Sequence, residues 1–177
     1  MTIRKIRRVS SIMSVLCVIG MIGLPLSLAI GWSSPEIFSN SLPGFENPWN
    51  AFASLSPTER VLGFLVSMIP AGVMIFGLAG LRHLFRLYEA GDIFSVGSAR
   101  YLKRFAISVM LQAILRPLAG TLHTVIFTFN NAPGEKMLAV SFGDGEFAAV
   151  LLGGLLLVIG WIIGEGAKIA AENRQFI

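Results

Sequence analysis

Charge is what this chain has little of: of its 177 residues only 14% are Asp, Glu, Lys or Arg, against roughly 25% in an ordinary soluble domain. Cysteine is scarcer still. Cys17 is the only one, which excludes an intrachain disulfide and a cysteine-built metal site and leaves it a small hydrophobe. A Ser/His/Asp set, an H-E-x-x-H motif, a phosphate loop and paired carboxylates within an apolar stretch are also missing. The chain is therefore not expected to be an enzyme, and no metal or cofactor is expected.

What is present is apolar. Hydrophobic residues make up 54% of the chain, too many for a disordered segment or most soluble domains. Residues 9–35, 61–81 and 147–164 carry no charged side chain, and 105–134 carries one, Arg116. A bilayer's hydrocarbon core takes about 20 apolar helical residues to cross. Four such spans fit, at about 9–31, 61–84, 105–127 and 147–167. The fold class read from this is an all-α, polytopic membrane protein with four transmembrane helices as two tandem helical hairpins, one domain over residues 1–177.

The cations decide the orientation. Eleven lie in the N-terminal tail, the connection between spans two and three, and the C-terminal tail, whereas Arg60 and Lys136 occupy the other two connections. By the positive-inside rule both termini are cytoplasmic, which in a bacterium means a multi-pass protein of the inner membrane. The same clustering beside apolar stretches explains the net charge of +4 without nucleic acid, which is not an expected partner. Arg4 to Arg8 before an apolar run also have the outline of a signal peptide, with Ala29 and Gly31 as small residues. The run from Val9 to Ile30 outlasts the roughly 7–15 residues of a signal core, so a retained anchor is expected.

Local signals mark the boundaries. Ser56-Pro57-Thr58-Glu59 reads as a capping box with proline at the first helical position. Trp32 reads as an interfacial anchor. Asn47-Pro48 and Ser34-Pro35 suggest short interfacial helices in the connection 33–56, resting on the headgroups through Phe38, Phe45, Trp49 and Phe52. The connection 128–146 is rich in turn formers, with a short strand or irregular lid expected over Met137–Phe142. Between spans two and three, Gly91 to Phe94 reads as a turn, Ser95 as an N-cap, and a helix is expected from Val96. Arg100, Lys103 and Arg104 then fall at the inner leaflet, anchoring to headgroups or docking a cytosolic protein.

The feet of spans two and four echo each other. Arg86 to Phe94 and Lys168 to Phe176 both carry a basic residue, an acidic residue, then Gly91 or Asn173, the types that end helices in the left-handed conformation. Phe94 and Phe176 are placed to fold back on the helix foot. The stretch Leu84 to Ser95 with Ala99-Arg100-Tyr101-Leu102, and the tail from Gly164-Glu165-Gly166-Ala167-Lys168 to Phe176-Ile177, resemble a family of small bacterial four-helix membrane proteins catalogued as domain of unknown function 2975. The resemblance implies the four-span topology and no activity; some members are encoded beside a small helix-turn-helix regulator, a hint of regulation.

Arg116 is the residue that calls for a partner. Counted from Phe105 it lies about 16 Å along span three, near the bilayer centre, where an arginine costs about 2.5–3.5 kcal/mol on insertion scales and normally faces protein or water. Pro117 follows, depriving the Ala113 carbonyl of its helical donor. Gln112, Arg116 and His123 share one helix face and are the candidate intramembrane polar site, with either a structural role or the handling of an anionic or carbonyl-bearing ligand. His83 is expected at the headgroups, too far from His123 to share a metal. Gly160 and Gly164 form a G-x-x-x-G pair for helix packing, inside the monomer or across a homo-oligomer. Pro25 and Pro70 are expected to kink their spans. The function expected is that of a small non-enzymatic accessory or regulatory protein, whose partners are the lipid bilayer and a homo-oligomer, membrane protein or cytosolic protein; the alternative is a ligand-binding or transport-type protein using Arg116.

Overall fold

The computed structural model describes residues 2–34, 55–130, 136, 138–140 and 142–173. Four helices lie among the described residues: α1 (Thr2–Ser33), α2 (Pro57–Ala90), α3 (Val96–Thr128) and α4 (Asp144–Asn173). All four are long and apolar enough to cross a membrane. Each runs past its apolar stretch at both ends; α2, with 34 residues, is about 50 Å long at 1.5 Å per residue. Pro25, Pro70 and Pro117 lie inside continuous helices.

The helix ends follow local chemistry. Ser56 caps α2: its backbone N–H donates to Glu59 Oε2 (2.7 Å) and its hydroxyl accepts from the Glu59 N–H (3.4 Å), with Pro57 at the first position. At the other end Gly91 adopts φ +90°, which an L side chain resists. There the Gly91 N–H reaches Tyr88 O (3.1 Å) and the Asp92 N–H reaches Leu87 O (2.9 Å), closing the last carbonyls of α2. Ser95 caps α3 through the Ser98 N–H at 3.1 Å, and the Ser98 hydroxyl donates to Asp92 O at 2.8 Å. Phe94 does not fold back on the helix foot as the sequence suggested; it is 77% exposed, because the turn is already closed by backbone and serine bonds. The corresponding Phe176 and the aromatics of 35–54 lie outside the described residues, and no strand forms at the described positions of 136–142.

Packing is between chain neighbours: α1 on α2, α2 on α3 and α3 on α4. No other pair of helices forms a packed interface among the described residues, so the helices stand in an open, antiparallel row rather than a closed bundle. Burial follows that order. In the most apolar stretch of each helix 39% of α3 is buried but only 6% of α1. The outward faces carry large apolar side chains on every helix, among them Ile19, Leu65, Leu118 and Leu155. A soluble monomer seldom exposes such continuous apolar surface; lipid covers it without cost.

Small residues set the interfaces, since close backbone approach replaces the hydrophobic drive that lipid removes. A Cβ on Gly77 would stand 2.6 Å from Ser108 Cβ, and one on Gly153 would stand 2.4 Å from Met110 Cγ and 2.9 Å from Ala106 O. Gly160 lies against Lys103 and the Ala99 carbonyl, and Gly164 against Ala99 Cβ. The G-x-x-x-G pair thus faces α3 within the same chain.

Candidate functional site

The polar groups of the helix row gather where α1, α2 and α3 meet, at the end opposite the basic termini. On α2, Gly63, Ser67 and Ala71 repeat every four residues and are all buried, giving one smooth stripe. The Trp32 indole lies on that stripe, and a Cβ on Gly63 would meet its ring at 2.0 Å. Only glycine fits there. Trp32 Nε1–H donates to Ser67 Oγ (3.1 Å), and the Ser67 hydroxyl donates to Gly63 O (2.9 Å). From α3, His123 Nε2 stands 3.1 Å from Ser67 Oγ and 3.2 Å from Gly63 O. With the serine proton already on Gly63 O, the arrangement in which every contact is satisfied has His123 protonated at Nε2, donating to both oxygens. Phe127 closes the cluster, stacked on Trp32 (6.1 Å between centroids) and on His123 (6.2 Å). Leu55 and Phe64 complete it.

Trp32 is therefore not an exposed interfacial anchor. It is 5% exposed, because Gly63 admits the ring and Ser67 satisfies its N–H inside the protein. Just beyond it, Asn130 Nδ2 donates to Glu59 Oε1 at 2.6 Å, tying the end of α3 to the start of α2.

The three residues of the expected polar stripe go to different places. Gln112 is buried and donates through Nε2 to Pro70 O (2.8 Å), a bond across the α2–α3 interface at the level of the α2 proline. His123 belongs to the cluster above. Arg116 is exposed while Gln112 and His123 are each bonded to α2, so the structure does not bring the three around one space.

Arg116 has a neighbour on α4. Ala99 faces Gly164, Lys103 faces Gly160 and Met110 faces Gly153; continuing that antiparallel register sets Arg116 level with Glu146 and Phe147. Arg116 thus stands beside the first turn of α4, where it acts electrostatically on Glu146. Glu146 itself bonds the Gly143 N–H at 2.8 Å, ahead of the helix.

At the basic end, His83 is exposed and stacks on Tyr101 (5.2 Å), linking α2 to α3. Glu165 pairs with Lys168 on the same helix at 3.2 Å. No group of three metal-ligating side chains occurs among the described residues.

The sequence reading missed Gly63 and Ser67. Their signal was present as a run of small residues at four-residue spacing in an otherwise bulky span, which in lipid marks a contact face.

The family model described as "Protein of unknown function (DUF2975)" matches residues 48–177. The chain belongs to this family. No curated protein and no solved structure matches it. The matched region takes in α2, α3 and α4 entire, with Gly63, Ser67 and His123, whereas Trp32 lies outside it.

Proposed function

We propose that this DUF2975 protein is a non-enzymatic accessory or regulatory component of the bacterial inner membrane, with both termini in the cytoplasm, acting by contact with another membrane protein. The observation that carries the reading is the open row of helices. An enzyme or carrier encloses its site; here α1 packs mainly along α2 and α4 along α3, and the apolar stretches of both leave large hydrophobic side chains exposed. The buried polar groups act as ties between helices: Trp32, Ser67 and His123 join α1, α2 and α3, and Gln112 joins α3 to α2. Those ties hold a lateral surface in shape, which suits recognition. The ligand-handling reading around Arg116 is not retained, since Gln112 and His123 are already bonded to α2 and Arg116 is exposed.

The test is photo-crosslinking in native membranes from a reactive residue placed at Ile19 on α1 or Leu155 on α4, both exposed. The expected result is one reproducible protein captured from at least one of these faces. Recovery of lipid adducts and uncrosslinked chain alone would count decisively against a partner.

A further inference from the structure

The row of helices is concave along α3. A groove of about 890 Å³ lies on α3 between α2 and α4, and its two halves differ in chemistry. Gly72 and Val73 of α2, Ile107 and Leu111 of α3 and Leu157 of α4 line the apolar half. Arg100, Lys103 and Arg104 line the other, beside Phe76 and Trp161.

Ion pairing among the described residues leaves these three cations aside. None makes an ion pair among the described residues, where the single pair is Lys168 with Glu165. That pair occupies the one carboxylate sharing a neighbouring hollow with Arg100 and Lys103. Arg104 is held but not neutralised: its guanidinium carbon sits 3.3 Å over the Phe76 ring, and its Nε is buried with no hydrogen-bond partner. A buried guanidinium donor without an acceptor is costly unless something outside the chain supplies one.

The dimensions fit a lipid. From Arg100 to Leu111 the groove follows α3 for about 16 Å, roughly one leaflet of a hydrocarbon core about 30 Å thick. Cations stand at one end, where a headgroup lies, and the floor beyond them is apolar.

We propose that this groove binds one anionic phospholipid, its phosphate held by Arg100, Lys103 and Arg104 and an acyl chain laid along Ile107 and Leu111 toward Gly72. This goes beyond the attraction of a basic segment to the bulk membrane surface, because it places a single lipid in a walled site with a defined tail path. Gly72 matters to that path: a Cβ there meets nothing within 4 Å, so the space beside it is free for a chain. Every lining residue lies within the region that matches the family model.

Native mass spectrometry of the full chain, released from detergent with equal amounts of phosphatidylglycerol and phosphatidylcholine of identical tails, tests it. The expected result is retention of one phosphatidylglycerol in preference to phosphatidylcholine. Arg100→Gln and Lys103→Gln should each weaken phosphatidylglycerol binding about fivefold and phosphatidylcholine binding less, since choline offsets its phosphate. Gly72→Leu, which fills open space and spares the fold, should lower retention of both lipids with the cations intact. Equal retention of the two lipids, a preference that survives Arg100→Gln combined with Lys103→Gln, binding untouched by Gly72→Leu, or a lipid-free dimer as the retained species would each overturn the proposal.

Discussion

At the scale of single residues, the contact that most depends on one atom is that of Gly63 with Trp32. A methyl group at residue 63 would fall 2.0 Å from the indole, and both sit on backbones fixed by long helices. Gly63→Ala should therefore displace Trp32, strip Ser67 of its indole donor and lower stability by about 1–3 kcal/mol. Gly72→Ala is the matched control, since its added methyl enters open space and alanine favours the helix over glycine. Thermal unfolding in detergent, followed by circular dichroism, should show the first variant melting well below wild type and the second at or above it. Equal melting would mean that Trp32 does not lie on α2. Of this site the sequence displayed the small-residue stripe and the polar His123, but not their meeting. A tryptophan after an apolar run looks like an interfacial anchor until another helix supplies a glycine and a hydroxyl at the same height.

At the scale of helices, local and non-local information separate cleanly. The capping box at Ser56, the left-handed Gly91 and the cap at Ser95 were legible, because each is decided within a few residues. Helix-to-helix register was not, because it depends on which small residues of one helix accept which side chains of another. The consequence shows at Arg116, which register sets beside the first turn of α4. That register is open to a direct check. The Cβ of Ala99 and one built on Gly164 would be 3.3 Å apart, near the span of about 3.5–4.5 Å that a disulfide bridges. In a Cys17→Ala background, Ala99→Cys with Gly164→Cys should oxidise within one chain under mild oxidant, seen as a thiol-blocked band of altered mobility. Ala99→Cys with Gly166→Cys should not, as Gly166 has nothing within 4 Å of its Cβ position. The reverse pattern would show α4 rotated on α3 and Arg116 away from the first turn of α4.

At the scale of the whole molecule, the class of protein was plain from four long apolar stretches, while the open row was not. Lipid-facing and protein-facing sides of a membrane helix are both apolar, so amphipathicity does not say which helices touch. The antiparallel order nevertheless brings the start of α1, the α2–α3 turn and the end of α4 to one end. Arg7 lies beside Gly91, and Lys103 lies against Gly160. The cations that the sequence distributes over three segments thus form one basic end, opposed by Arg60 and Lys136 at the other. Each cation that must cross costs about 2.5–3.5 kcal/mol even on the mildest scales, so insertion with the basic end inside is strongly preferred. A fluorescent protein that matures only in the cytoplasm, fused to the C-terminus, should therefore be bright. Alkaline phosphatase at that position should be inactive, and the same phosphatase within the α3–α4 connection should be active. Replacing Arg4, Lys5, Arg7 and Arg8 together with Gln should weaken the preference and yield a mixed phosphatase signal, while the basic α2–α3 turn still biases it. An active phosphatase at the wild-type C-terminus would invert the protein in the membrane, and with it the leaflet from which the Arg100 groove draws its lipid.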